Sequence, residues 1–180
     1  MKNLLVHDLR WRGRTPPGNY AAFDVDETTP LDYFVTRSLH EAAAYQGDVV
    51  LIVFAHGLAR SGLGGGFGIT FCREGLRLST IGRLAPLAGH IHGGIVLFSC
   101  EAAHIAPGRQ GMNGDGNMLC SRLAQITRTS VTASTATQYA SLFPGTRYQK
   151  GVISPNAWEG AVLTYGPSGE VVSVQNYPTS

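Results

Sequence analysis

Charge is sparse in this chain. Asp, Glu, Lys and Arg make up 14% of its 180 residues, against the usual quarter in a soluble domain. The net charge of +2 is too small to argue for a nucleic-acid partner. The arginines are scattered apart from Arg10, Arg12 and Arg14, a cluster small enough to be a solvated face. No apolar run approaches the roughly 20 residues of a membrane span, so no membrane partner is expected. Met1 to Asp8 lack the apolar core and small-residue cleavage site of a signal peptide. Cysteine is scarce as well. Cys72, Cys100 and Cys120 are odd in number and have no metal-type pairing, which points to reduced thiols in a cytoplasmic setting. Delivery as an effector, by a machine that reads no signal peptide, fits the same facts.

What is present is glycine, 23 residues of it, in a chain long enough for one domain over residues 1–180 with a buried core. Asn3–Leu9 reads as a first strand, and Arg10–Glu27, broken by Pro16-Pro17-Gly18-Asn19, as a surface loop. Thr29-Pro30-Leu31-Asp32 predicts a helix start, with Thr29 as N-cap and Asp32 reaching back. Leu31, Phe34, Val35, Leu39 and Ala42 fall on one helical stripe ended by Gly47. The glycine-rich run after Gly57 leads into a short strand at Ile69–Cys72 rather than into a helix. It is therefore read as a mobile flap or a plain hairpin tip, not a phosphate loop. Ser79 predicts a second helix, with Ile81, Leu84 and Leu87 inward and Pro86 kinking it. Asp115 predicts a third, with Leu119, Leu123 and Ile126 inward, followed by a strand at Ser130–Ser134. The loop His104–Asp115 between them is too long and polar for an ordinary connection. Trp158–Tyr165 and Glu170–Val174 around Gly166-Pro167-Ser168-Gly169 predict a terminal hairpin. The alternation of strand and helix predicts a doubly wound α/β domain: a mostly parallel sheet flanked by helices, with a C-terminal β-hairpin.

Two stretches carry chemistry. Asp48–Gly57 and Gly94–Cys100 are unbroken apolar runs that suit strands buried in a parallel sheet. The first ends in His56-Gly57 and the second in Cys100, 44 positions after the histidine (100 minus 56). Neighbouring parallel strands bring their carboxyl ends to one crevice, so a base and a nucleophile can meet there. Singly, each residue is more often structural: a buried cysteine, or a loop histidine with a hydrogen bond. Together, with glycine after the histidine, they point to a dyad. Cys72 and Cys120 read as small core hydrophobes.

Phe54-Ala-His56-Gly57 and Leu97-Phe-Ser-Cys100-Glu-Ala-Ala103 resemble the caspase-like cysteine peptidases, a group that takes in caspases, metacaspases, gingipains, separase and many bacterial domains. The likeness covers residues 48–135. It implies a caspase-like fold, a cysteine endopeptidase acting on protein or peptide substrates, His56 and Cys100 as catalytic pair, and the amides of Gly57 and Cys100 as oxyanion hole. It calls for no cofactor. Phe98 stands where metacaspase-like relatives place an acid for a basic P1 residue. Arg12-Gly13 sits where caspases hold an acidic P1. Glu101 departs from both patterns. Arg12, Phe98 and Glu101 are therefore the candidate substrate-binding positions. Ser130–Gln138 also looks like bacterial caspase-like domains of secreted effectors, of toxin processing and of antiphage defence. Self-cleavage within His104–Asp115 and a small-molecule activator are further extrapolations from the family.

Two rivals stay open. One is a caspase-fold domain that binds a ligand or partner and cleaves nothing, favoured by Glu101. The other is a metal-dependent hydrolase built on His56, His90, His92 and His104, although no carboxylate lies at a ligand spacing from them.

Overall fold

The sheet grows from the most apolar runs outward. In the computed structural model, which describes residues 1–15, 18, 20–45, 47–143, 152–155 and 157–179, the first strand, β1 (Lys2–Asp8), is followed by β2 (Ala21–Val25), helix α1 (Leu31–Ala43) and β3 (Val49–Phe54). Then come two short strands, β4 (His56–Gly57) and β5 (Ile69–Thr70), and a 3-10 helix at Ile81–Leu87. The rest is β6 (Gly94–Phe98), α2 (Gly116–Thr127), β7 (Val131–Ser134), β8 (Ala140–Phe143), β9 (Val152–Pro155), β10 (Gly160–Tyr165) and β11 (Val171–Tyr177).

Seven strands form the central sheet in the order β11-β10-β7-β6-β3-β1-β2. The five from β2 to β7 pair in parallel, and the β10–β11 hairpin extends the edge antiparallel to β7. The predicted α/β class, mostly parallel sheet and terminal hairpin are therefore present. So are Asp115 as the cap of α2, accepting the Met118 N–H at 2.9 Å, and the Gly166–Gly169 turn, closed by a 2.8 Å backbone bond.

Four expectations change. Among the described residues, helices cover one face only. Buried residues of α1, α2 and the 3-10 helix share a single core with Leu4, Val6, Leu51, Val53, Ile95 and Leu97. The opposite face carries Leu5, Phe54 and Phe98 under Trp11, Tyr20 and Trp158. The predicted loop Arg10–Glu27 contains β2, whose Val25 reaches the core. Thr29 does not cap α1. Its hydroxyl turns back to Asp26, and the Leu31 N–H is taken instead by the carboxylate of Glu74 at 3.0 Å. The second helix is 3-10 rather than α and starts after Thr80. Its inward residues Ile81, Leu84 and Leu87 recur at i, i+3, the spacing that aligns side chains in a three-residue turn.

Candidate active site

Strand register decides what meets. Phe54 of β3 lies opposite Phe98 of β6, so His56 and Cys100, each two residues on, leave the sheet side by side. Two fasteners hold these ends together. The buried Ser99 hydroxyl donates to the Ala55 carbonyl at 2.6 Å, and Gly57 lies flat against the backbone of Cys100. A Cβ at Gly57 would stand 1.8 Å from the Cys100 carbonyl oxygen. Only glycine allows this approach.

His56 is exposed and turned toward the loop after β1. Its Nε2 lies 3.2 Å from the Arg10 carbonyl oxygen, and its ring stacks on the Trp11 indole at 5.5 Å and 22°. A carbonyl only accepts, so Nε2 carries the proton and Nδ1 is the basic nitrogen of the neutral ring. The Arg10 guanidinium is committed elsewhere, to Asp8 at 2.5 Å and to the Cys72 carbonyl at 2.8 Å.

Cys100 is partly exposed. Its sulfur sits 3.4 Å from both the N–H and the carbonyl of Gln138, on the loop after β7. The Gln138 side chain, 3% exposed, ties that loop down. Its amide donates toward Ser134 Oγ and the carbonyls of Ala136, Thr137 and Glu159, and its oxygen accepts from the Glu159 N–H. Thiol and imidazole are not hydrogen-bonded to each other; each has its own partner. The other two thiols differ. Cys72 and Cys120 are fully buried, and desolvation pushes the Cys120 thiol up to about 12 and raises Cys72 as well. Both stay protonated and inert.

The candidate substrate contacts separate. Arg12 is exposed on the Trp11 loop. Phe98 is 5% exposed, packed at 5.8 Å from Trp11 and 5.1 Å from Trp158, so its ring lies within the aromatic cluster and not on the surface. Glu101 holds a left-handed φ of 52°, and its carboxylate accepts from the Gly65 N–H and the Thr137 hydroxyl. With Gly66 N–H on the Glu101 carbonyl at 3.1 Å and a bridge between Arg60 and Gly64, the expected flap is a hairpin fastened to Glu101. The four histidines do not converge. His56 and His104 follow β3 and β6, while His90 and His92 precede β6 at the opposite end of the parallel strands. No three His, Cys, Asp or Glu side chains could hold a metal among the described residues.

Nothing in the sequence pointed to Gln138, to Trp11 or to the Arg10 carbonyl. A buried glutamine and a backbone acceptor leave no pattern in composition or spacing. No helix among the described residues is long and apolar enough to cross a membrane. Comparison of the chain with protein-family models, curated proteins and solved structures finds no match.

Proposed function

We propose that this chain is a caspase-like cysteine endopeptidase acting through Cys100 and His56. The observation that supports the reading best is the close packing of Gly57, the residue after His56, on the backbone of Cys100, whose thiol is partly exposed. In the reaction, the thiol proton passes to His56 Nδ1 and the thiolate adds to the carbonyl carbon of a peptide bond. The amides of Gly57 and Cys100 hold the resulting oxyanion. Collapse expels the amine, which leaves with the imidazolium proton. Water then cleaves the thioester, releasing the acid and restoring the thiol. The Arg10 carbonyl keeps Nε2 protonated throughout, as an orienting acceptor does in hydrolase triads. Proteins or peptides are the substrates; roles as a bacterial effector, in toxin processing or in antiphage defence belong to the same reading.

One observation favours a second reading, a domain that binds and does not cleave: thiol and imidazole each have a separate partner. One experiment decides. Wild type, Cys100→Ala and a chelator-treated sample are exposed to a thiol-reactive peptide probe and a peptide library. Labelling and cleavage lost only in Cys100→Ala support the peptidase. No activity in any sample supports binding, and loss only with chelator supports metal chemistry.

A further inference from the structure

We infer that Trp11 is the positioning residue of the dyad: its indole holds the His56 ring and favours the imidazolium that forms when Cys100 gives up its proton. The inference rests on the dyad reading and names a residue which that reading leaves without a task.

Trp11 is placed with more care than a surface tryptophan needs. Its backbone is fixed at both ends, N–H to the Asp8 carbonyl at 2.9 Å and carbonyl to Nε2 of the buried His7 at 2.7 Å. Nδ1 of that histidine faces Asp24 at 3.8 Å. The indole is nearly parallel to two rings, His56 at 5.5 Å and 22° and Phe98 at 5.8 Å and 21°. Phe98 backs it, and Phe54 meets it at 6.0 Å and 59°. The indole therefore packs on the aromatic cluster and meets the imidazole at the same time. With Nε2 on the Arg10 carbonyl and one ring face on the indole, His56 keeps one free edge, that of Nδ1. At the end of β1 and on its loop, Asp8 and Arg10 pair at 2.5 Å and Arg12 is exposed, while Cys100 is the ionisable group that follows β6. A stacked indole attracts a cation through its π face, so proton transfer from sulfur to Nδ1 gains a contact that the neutral pair lacks.

The test reads the thiol directly. Cys72 and Cys120 are fully buried, so iodoacetamide reports Cys100 in the intact chain. Trp11→Leu is expected to slow alkylation at neutral pH by about two- to five-fold, the size of one partly exposed cation–π contact, with Trp11→Phe recovering part of the loss. In a His56→Ala background, Trp11→Leu should change nothing further. A structural effect of Trp11 on the thiol would persist there, and its persistence overturns the inference. Slowing by His56→Ala but not by Trp11→Leu also overturns it while leaving the dyad intact. No slowing by His56→Ala sinks the dyad itself. A second measurement needs no substitution at Trp11: in Trp158→Phe, where Trp11 is the sole indole, emission should fall as His56 is protonated, and His56→Ala should abolish that fall. A pH-independent emission in Trp158→Phe refutes the stacking in solution.

Discussion

Gly57 and Gln138 show how little side chain a site can need. At Gly57 an added methyl meets a backbone carbonyl, which cannot swing away as a flexible side chain could. Relief has to come from separating the ends of β3 and β6. Gly57→Ala is therefore expected to cost about 1–3 kcal/mol, the usual range for overpacking, and to slow Cys100 alkylation. Thermal unfolding and the iodoacetamide rate check both. Gly82→Ala is the matched control, because a Cβ there meets nothing within 4 Å. At Gln138 the side chain does no chemistry but keeps a backbone N–H 3.4 Å from the sulfur. Gln138→Ala takes away the side-chain oxygen that accepts from the buried Glu159 N–H, and one donor to the loop's carbonyls, which predicts a loss of about 1–3 kcal/mol in urea unfolding. Neither the backbone contact at Gly57 nor the part played by Gln138 is legible in the sequence. His56, Gly57 and Cys100 could be picked out because strand ends have a recognisable pattern; the residues that hold them act through backbone atoms, which carry no residue identity.

At the scale of the element, α1 is held at its start from a distance. Asp26 accepts from Thr28 and Thr29, so the local capping residues are spent on a turn of their own. The Leu31 N–H goes to Glu74, which Arg83 also contacts at 2.7 Å. The helix N–H, with Arg83 and Arg73, holds the Glu74 carboxyl down at about 2. A carboxylate depressed in the folded state adds stability that is full above its ordinary value near 4.5 and fades as pH falls toward 2. Glu74→Gln should therefore flatten the decline of stability between about pH 5 and 2, followed by urea unfolding at stepped pH. Asp26, also near 2, leaves a residual slope in the variant. Thr29 stands out in the sequence because the motif is local, whereas a cap supplied from 43 residues away (74 minus 31) leaves no local pattern. Asp115 was legible for the converse reason, since its partner Met118 is three residues on. The strand β2 escaped because Ala21–Val25 is short and follows a proline-rich stretch. Only pairing with β1 makes it a strand.

For the whole molecule, handedness explains both the helical face and the aromatic one. The passages from β2 to β3, β3 to β6 and β6 to β7 all step in one direction across the sheet, so right-handed crossovers put their helices on one side. The step from β1 to β2 runs the other way, and the same rule sends its connection to the opposite face. That connection contains no helix among the described residues, and it brings Trp11 and Tyr20 onto Leu5, Phe54 and Phe98. One face thus owes its cover to aliphatic helices, the other to a loop of aromatics that also touches His56. The fold and the site share this second cluster, so a change in its middle should register in both. Phe98→Ala opens a cavity beneath Trp11 and Trp158 and is expected to cost about 3–5 kcal/mol, with slower alkylation of Cys100 as the indole loses its backing. Phe98→Leu keeps most of the volume, should cost about 1 kcal/mol, and, on the proposed peptidase reading, should leave cleavage preferences across a peptide library unaltered. A changed preference with unchanged stability would instead mean that this ring reaches the substrate and that Trp11 does not need it.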